Sequence, residues 1–177
     1  IRAAGDGGDA RNASLFQPFS VALDREGQLF IADRKNHMVR VVRRDGRIDA
    51  VAGTGTPGAG VDGEPAASAQ LNRPSGLAFD AHGLLHIADE GNHRILRMGE
   101  NGRIESVVGS GLPGYSGDGG PGSQAALNGP LSIAYDEADR LYIADTGNGR
   151  IRRLDADGTV RTVAGNGSTF PLEAGGR

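Results

Sequence analysis

The sequence predicts an all-β fold of four-stranded antiparallel units, stacked as the blades of a β-propeller with three blades per chain. Three observations carry this. A set of motifs recurs at a constant spacing of 56 residues. Each period reads as four short strands joined by turns. A four-stranded sheet with two apolar faces buries both only by stacking on neighbours of its own kind, and a propeller is the usual arrangement that does so.

The repeat organises the chain. Ile31-Ala32-Asp33 recurs as Ile87-Ala88-Asp89 and Ile143-Ala144-Asp145. Pro18, Pro74 and Pro130 keep the same spacing, as do Asp24, Asp80 and Asp136, then Asn36, Asn92 and Asn148, and Gly53, Gly109 and Gly165. No insertion interrupts the period, and the chain is three periods plus nine residues long. It reads as one domain over 1–177, with blades at about 15–53, 71–109 and 127–165 and Gly-rich segments between them.

The middle copy shows the elements. Pro74 opens the first strand, as Pro can at a strand start, and Leu77 and Phe79 then share one face with Ala78 on the other. After the turn at Ala81-His82-Gly83, Leu85 and Ile87 alternate with His86 and Ala88 in a second strand. Gly91-Asn92 turns the chain into a third strand over Arg94 to Met98. Asn101-Gly102 leads into the fourth, Ile104 to Val108. That last turn is Asp45-Gly46 in copy one and Asp157-Gly158 in copy three, pairs that suit the positive φ angles of a type I′ hairpin. The Gly-rich segments are expected to end in a short helix, as at Pro65 to Gln70, with Pro in the first turn. Asp6, Asp62 and Asp118 are expected to cap turns there, because Gly-Asp-Gly-Gly supplies too few oxygen ligands for a calcium loop.

Composition agrees with a turn-rich globular chain. Of 177 residues 30 are Gly, without the three-residue period of collagen, and no run is long and apolar enough to span a membrane as a helix. The net charge of −3 gives no long-range attraction to nucleic acid or anionic lipid. The absence of Cys removes disulfides, thiol catalysis and Cys-ligated metals together. The chain opens at Ile1 with no basic or apolar leader, which reads as a processed piece.

Pro74-Ser75-Gly76-Leu77-Ala78-Phe79-Asp80, Leu85-His86-Ile87-Ala88-Asp89, Asn92-His93-Arg94-Ile95 and Val107-Val108-Gly109 closely resemble the NHL repeat, as does the connecting Gly117-Asp118-Gly119-Gly120-Pro121. Asn36-His37 and Asn92-His93 match the family's own letters, whereas Gly149 replaces the His in copy three. The tail from Ser168 to Arg177 keeps only Gly175-Gly176 of the connecting segment, so no fourth blade begins. The resemblance implies a propeller, most often six-bladed. Three blades would be half of that ring, with Val21, Leu23, Ile133 and Tyr135 expected on the open ends. A second copy of the chain is the simplest closure, giving a two-fold dimer; a longer parent chain is the alternative. The family likeness also points to a bacterial, extracytoplasmic setting.

In a propeller the turn after the second strand and the segment after the fourth emerge on one face. This loop face is the expected ligand-binding surface, with Asp33, Asn36, His37, Asp89, Asn92, His93, Asp145 and Asn148 as its candidate residues. The plainer reading of the same residues is turn chemistry: an Asp at a strand end accepts from the N–H groups of the turn it begins, and Asn tolerates the left-handed conformation. His37 and His93 could hold zinc, but position 149 offers no third ligand, so no metal and no other cofactor is expected. His86 stands where Phe30 and Tyr142 stand in the other copies and reads as a substitute aromatic. No nucleophile elbow or distinctive carboxylate pair is visible. The third strands gather arginines (Arg40, Arg43 and Arg44; Arg94 and Arg97; Arg150, Arg152 and Arg153), and acids interleaved among them suggest a solvated outer rim.

The leading functional expectation is a non-enzymatic propeller module that binds a protein or small ligand and closes its ring by self-association. Two alternatives come with the resemblance: a metal-dependent lyase or lactone hydrolase, and an RNA-binding domain. A further one is a fragment without independent activity.

Overall fold

The computed structural model describes residues 4–168 and contains three antiparallel four-stranded sheets. Blade 1 comprises β1 (Pro18–Leu23), β2 (Leu29–Asp33), β3 (Met38–Val42) and β4 (Ile48–Ala52). Blade 2 comprises β5 (Pro74–Phe79), β6 (Leu85–Asp89), β7 (Arg94–Met98) and β8 (Ile104–Val108). Blade 3 comprises β9 (Pro130–Tyr135), β10 (Leu141–Asp145), β11 (Arg150–Leu154) and β12 (Val160–Ala164). The strands of each blade pair in chain order, and the register repeats: Val21 opposes Ile31, Leu77 opposes Ile87 and Ile133 opposes Ile143. The fold is a β-propeller of which the chain supplies three blades.

Period-two alternation sends successive side chains of a strand to opposite neighbours. Along β6, Ile87 packs into a core shared with Val39 and Ala52 of blade 1, while Ala88 joins a second core with Ile133 and Ile143 of blade 3. An aromatic contact repeats at each junction: Phe30 meets Phe79 edge-on at 5.1 Å, and His86 meets Tyr135 in the same way at 5.1 Å. His86 thus fills the aromatic position, as its place in the repeat suggests.

The Gly-rich segments close the outer edges of the blades. Gly63 donates to the Ile104 carbonyl at 2.8 Å, and Ile104 donates back to Glu64 at 3.0 Å. Gly7 and Gly8 pair with Ile48, and Gly119 and Gly120 with Val160, in the same manner. Each segment therefore covers the outermost strand of the blade it leads into, leaving few free backbone groups for edge-to-edge pairing.

Several sequence expectations are corrected. The turns at Asp45-Gly46, Asn101-Gly102 and Asp157-Gly158 are not type I′: only the glycines have positive φ, and the Gly46 N–H closes a type I turn onto Arg43 at 2.9 Å. The helix after Pro65 is a single 3₁₀ turn over Ala66–Ser68, with Pro65 just outside it. Ile133 and Tyr135 do not lie on an open end, because both pack against blade 2. The expectation about the tail beyond Ser168 lies outside the described residues. No helix among the described residues is long and apolar enough to cross a membrane.

Candidate functional site

Strands two and four of a blade run in the same direction, so β2 and β4 end on the same face, and the turns and Gly-rich segments that follow them share it. Of the eight candidate residues, Asp33, Asp89 and Asp145 end β2, β6 and β10, and the other five lie in the turns that follow. The structure brings each Asp together with its Asn, but it does so inside the blade.

The Asp33 carboxylate is fully buried, accepts from the Phe16 N–H at 2.8 Å and from the Asn36 amide at 2.8 Å, and lies 3.7 Å from the Arg40 guanidinium. Asp145 repeats this with the Asn128 N–H, the Asn148 amide and Arg152. Asp89 takes the Asn72 N–H and the Asn92 amide, but its cation is Arg94 at 3.1 Å, since Leu96 occupies the position of Arg40 and Arg152. Burial pushes the Asp89 carboxyl up, against the opposing pull of these donors. Each carboxylate thus ties the chain entering the first strand to the turn after the second. It does not accept from the N–H groups of its own turn, as the sequence suggested, because none of the three side chains caps that 3₁₀ turn. The amides of Asn92 and Asn148 also reach the carbonyls of Gly58 and Gly114 at 2.7 Å, and so hold the segment that leads into their own blade.

The left-handed residues are His37, His93 and Gly149, each with φ between 54° and 57°, and not the asparagines beside them. His37 Nδ1 accepts from the Arg73 N–H at 3.1 Å, and His93 Nδ1 from the Gly129 N–H at 3.0 Å. These imidazoles are staples from one blade to the next. Gly149 has no side chain with which to repeat the bond.

An Nδ1 that accepts from an N–H carries no proton, and this gives the fold a pH dependence. Burial, together with the charges of Lys35 and Arg73, lowers the His37 pKa from its ordinary value of 6.5. Below that value the unfolded chain takes up a proton that the folded chain resists, so stability is complete above about pH 6.5 and declines as the pH falls. Urea midpoints measured from pH 7.5 to 5 should drop, and His37→Gln should flatten the profile. An unchanged slope in the variant would count against the staple.

The arginines of the third strands divide in a way the sequence did not show. Arg43, Arg44 and Arg97 stay at the surface or half-exposed, whereas Arg40 and Arg152 are fully buried and Arg94 nearly so. Arg40 bonds Asp6 at 2.6 Å and the carbonyls of Ser14 and Ala4. Arg152 pairs with Asp118 at 2.8 Å and donates to the Ser116 carbonyl. Asp62, whose blade has Leu96 at the repeat position of Arg40 and Arg152, accepts instead from the N–H and hydroxyl of Ser106, both at 2.9 Å. The Asp6, Asp62 and Asp118 series therefore anchors each Gly-rich segment to its blade and caps no helix. Among the described residues only Asp9 caps a 3₁₀ turn, through the Arg11 N–H.

Between blades 1 and 2 the loop face carries a charge cluster in which Glu90 is buried and Arg73 is half-exposed. Arg34 grips Glu90 of the next blade through two bonds of 2.7 and 2.9 Å, and Arg73 lies 3.5 Å from the same carboxylate. Lys35 is exposed beside them and Phe19 lies under Arg34 at 5.5 Å. The sequence did carry a signal for this pair: Arg34 and Glu90 occupy the same repeat position with opposite charges, and stacking makes such positions neighbours. Among the described residues no three His, Asp or Glu side chains assemble into a metal-ligand set.

The NHL repeat model matches residues 71–98 and 127–154. The chain belongs to the NHL-repeat family. Blade 1 lies outside the matched segments, yet it keeps the strand order and register of the two NHL repeats that are matched. Teneurin-m of Drosophila melanogaster is 31% identical over 173 residues, a match covering 90% of this chain and 6% of that protein. NHL repeat-containing protein 2 of Bos taurus is 39% identical over 93 residues, covering 52% of this chain and 12% of its own. The chain thus spans only a small part of these NHL relatives. A Xanthomonas campestris gluconolactonase superposes with a TM-score of 0.64 at 18% identity, over 86% of this chain and 48% of that one, a likeness of fold.

Proposed function

We propose that this chain is a non-enzymatic NHL propeller module that binds a protein or small ligand on its loop face, with a second copy closing the ring. One observation carries the reading: the polar side chains on that face with the most chemical potential are already committed to the framework. Asp33, Asp89 and Asp145 hold the turns, and His37 and His93 staple one blade to the next. The face left for a ligand is made of turn backbone, the exposed Lys35 and the half-exposed Arg73, with Glu90 buried beneath them against Arg34, a recognition surface without a nucleophile or general base poised on it. RNA binding is less favoured, because Arg40, Arg94 and Arg152 are withdrawn into the blades, where phosphates do not reach them.

The test is the metal content of protein purified without chelators. A lyase or lactone hydrolase that uses a divalent ion would retain about one per closed ring, that is, about one per two chains. Trace metal, far below one ion per two chains, is expected here. A stoichiometric, tightly held ion would overturn the binding-module reading.

A further inference from the structure

The two open ends of the half-ring are complementary. At the first junction Val39 and Ala52 on the back of blade 1 bury Leu71 and Leu77 at the front of blade 2. At the second, Ile95 and Val108 bury Leu127 and Ile133. The front of blade 1 offers the same repeat positions with nothing on them. Val21 is 61% and Leu23 64% exposed, against 6% for Leu77 and 7% for Ile133. Leu15 and Phe16 beside them are exposed as well. The back of blade 3 is bare to a lesser degree: Ile151 is 37% exposed where Ile95 and Val39 are fully buried, and Val163 is 43% exposed.

We infer that the front of blade 1 docks on the back of blade 3 of a second copy, and reciprocally, so that two identical head-to-tail junctions close a two-fold ring of six blades. The inference rests on reading the chain as a propeller module; it adds which faces meet and in what register. Two further features continue into that register. The aromatic series Phe30–Phe79 and His86–Tyr135 extends to Tyr142 on one copy and Leu23 on the other. The backbone series Gly53 N–H to Ala66 carbonyl and Gly109 N–H to Gly122 carbonyl, at 2.9 and 3.0 Å, extends to Gly165 and the other copy's Ala10. Gly165 has no such acceptor among the described residues. Rings form when a head-to-tail rotation closes on itself, and open filaments when it does not.

Light scattering across a concentration series reads the assembly directly. A mass of twice 18.2 kDa is expected for the unaltered chain. Val21→Glu with Leu23→Glu on the front, and separately Ile151→Glu on the back, should each raise the dimer dissociation constant at least 100-fold, because each places a charge in a dry junction. All three positions face solvent in the single chain, so circular dichroism of the resulting monomers should keep the native strand signal. Mixing the front variant with the back variant should restore a weak heterodimer through the one junction left intact. A monomer at every concentration, or open oligomers growing with concentration, would overturn the ring. A back variant that stays dimeric would overturn the head-to-tail register. None of these outcomes depends on metal content, so the ring can fail while the non-enzymatic reading stands, and the reverse.

Discussion

Arg40→Leu is expected to destabilise the fold by about 3–5 kcal/mol, the usual cost of removing one partner from a buried ion pair. The guanidinium is fully buried and joins the buried Asp33 carboxylate to Asp6 and to the carbonyls of Ser14 and Ala4. Leucine leaves Asp33 without its cation and frees the segment that covers β4. Arg152→Leu should cost less, about 1–3 kcal/mol, although Arg152 is buried to the same degree. The reason lies two residues earlier on the same strand. Blade 2 already has leucine at this position, Leu96, and Arg94 supplies the cation to Asp89 at 3.1 Å. Blade 3 carries Arg150 at the position of Arg94, now lying over the Tyr115 ring at 3.8 Å and able to turn toward Asp145. Blade 1 has Met38 there and no substitute. Urea unfolding at fixed protein concentration ranks the variants, and Met38→Arg added to Arg40→Leu should recover most of the loss by rebuilding the arrangement of blade 2. Equal losses for the two single variants, or no recovery in the double one, would show that the cation's route to the carboxylate does not matter.

Gly109→Ala is expected to cost about 3 kcal/mol or more, from two sources that add. Gly109 has φ +103°, where an L side chain is strained, and an added Cβ would fall 2.5 Å from the His93 carbonyl oxygen and 2.7 Å from the Arg94 Cα. Backbone on both sides leaves little room to relax. The same residue donates its N–H to Gly122, so displacing it also loosens the segment leading into blade 3. Gly102→Ala separates the two causes. Its φ is +71° with open space around it, so only the conformational penalty of about 1 kcal/mol applies. Thermal unfolding of the pair should show the larger drop for Gly109→Ala; similar drops would mean that the close approach contributes nothing.

Much of the architecture was legible because it is periodic. Ile31, Ile87 and Ile143, with the prolines before them, mark the strands and their register without any partner needing to be known. The candidate site was legible in position but not in role. The repeat places Asp33 at the strand end and Asn36 in the turn after it, yet the N–H from which Asp33 accepts belongs to Phe16, 17 residues earlier. His37 was legible as a candidate ligand, and its real partner is a backbone N–H 36 residues later, in the next blade. The arginines misled for the same reason. Alternation places Arg40 on one side of β3, but its burial depends on the segment carrying Asp6, which folds over it from 34 residues away.

The period, the strands and the count of three blades thus follow from the sequence, because they depend on local alternation and on turn residues repeated at one spacing. Which polar groups are structural and which remain to meet a partner was decided by the tertiary structure. The stacking of blades and the path of the Gly-rich segments bring together carboxylates, guanidiniums and imidazoles that no local pattern relates, and burial then commits each of them to a bond. The same stacking covers Leu77 and Ile133 and leaves Val21 and Leu23 bare, at positions that the repeat alone makes equivalent.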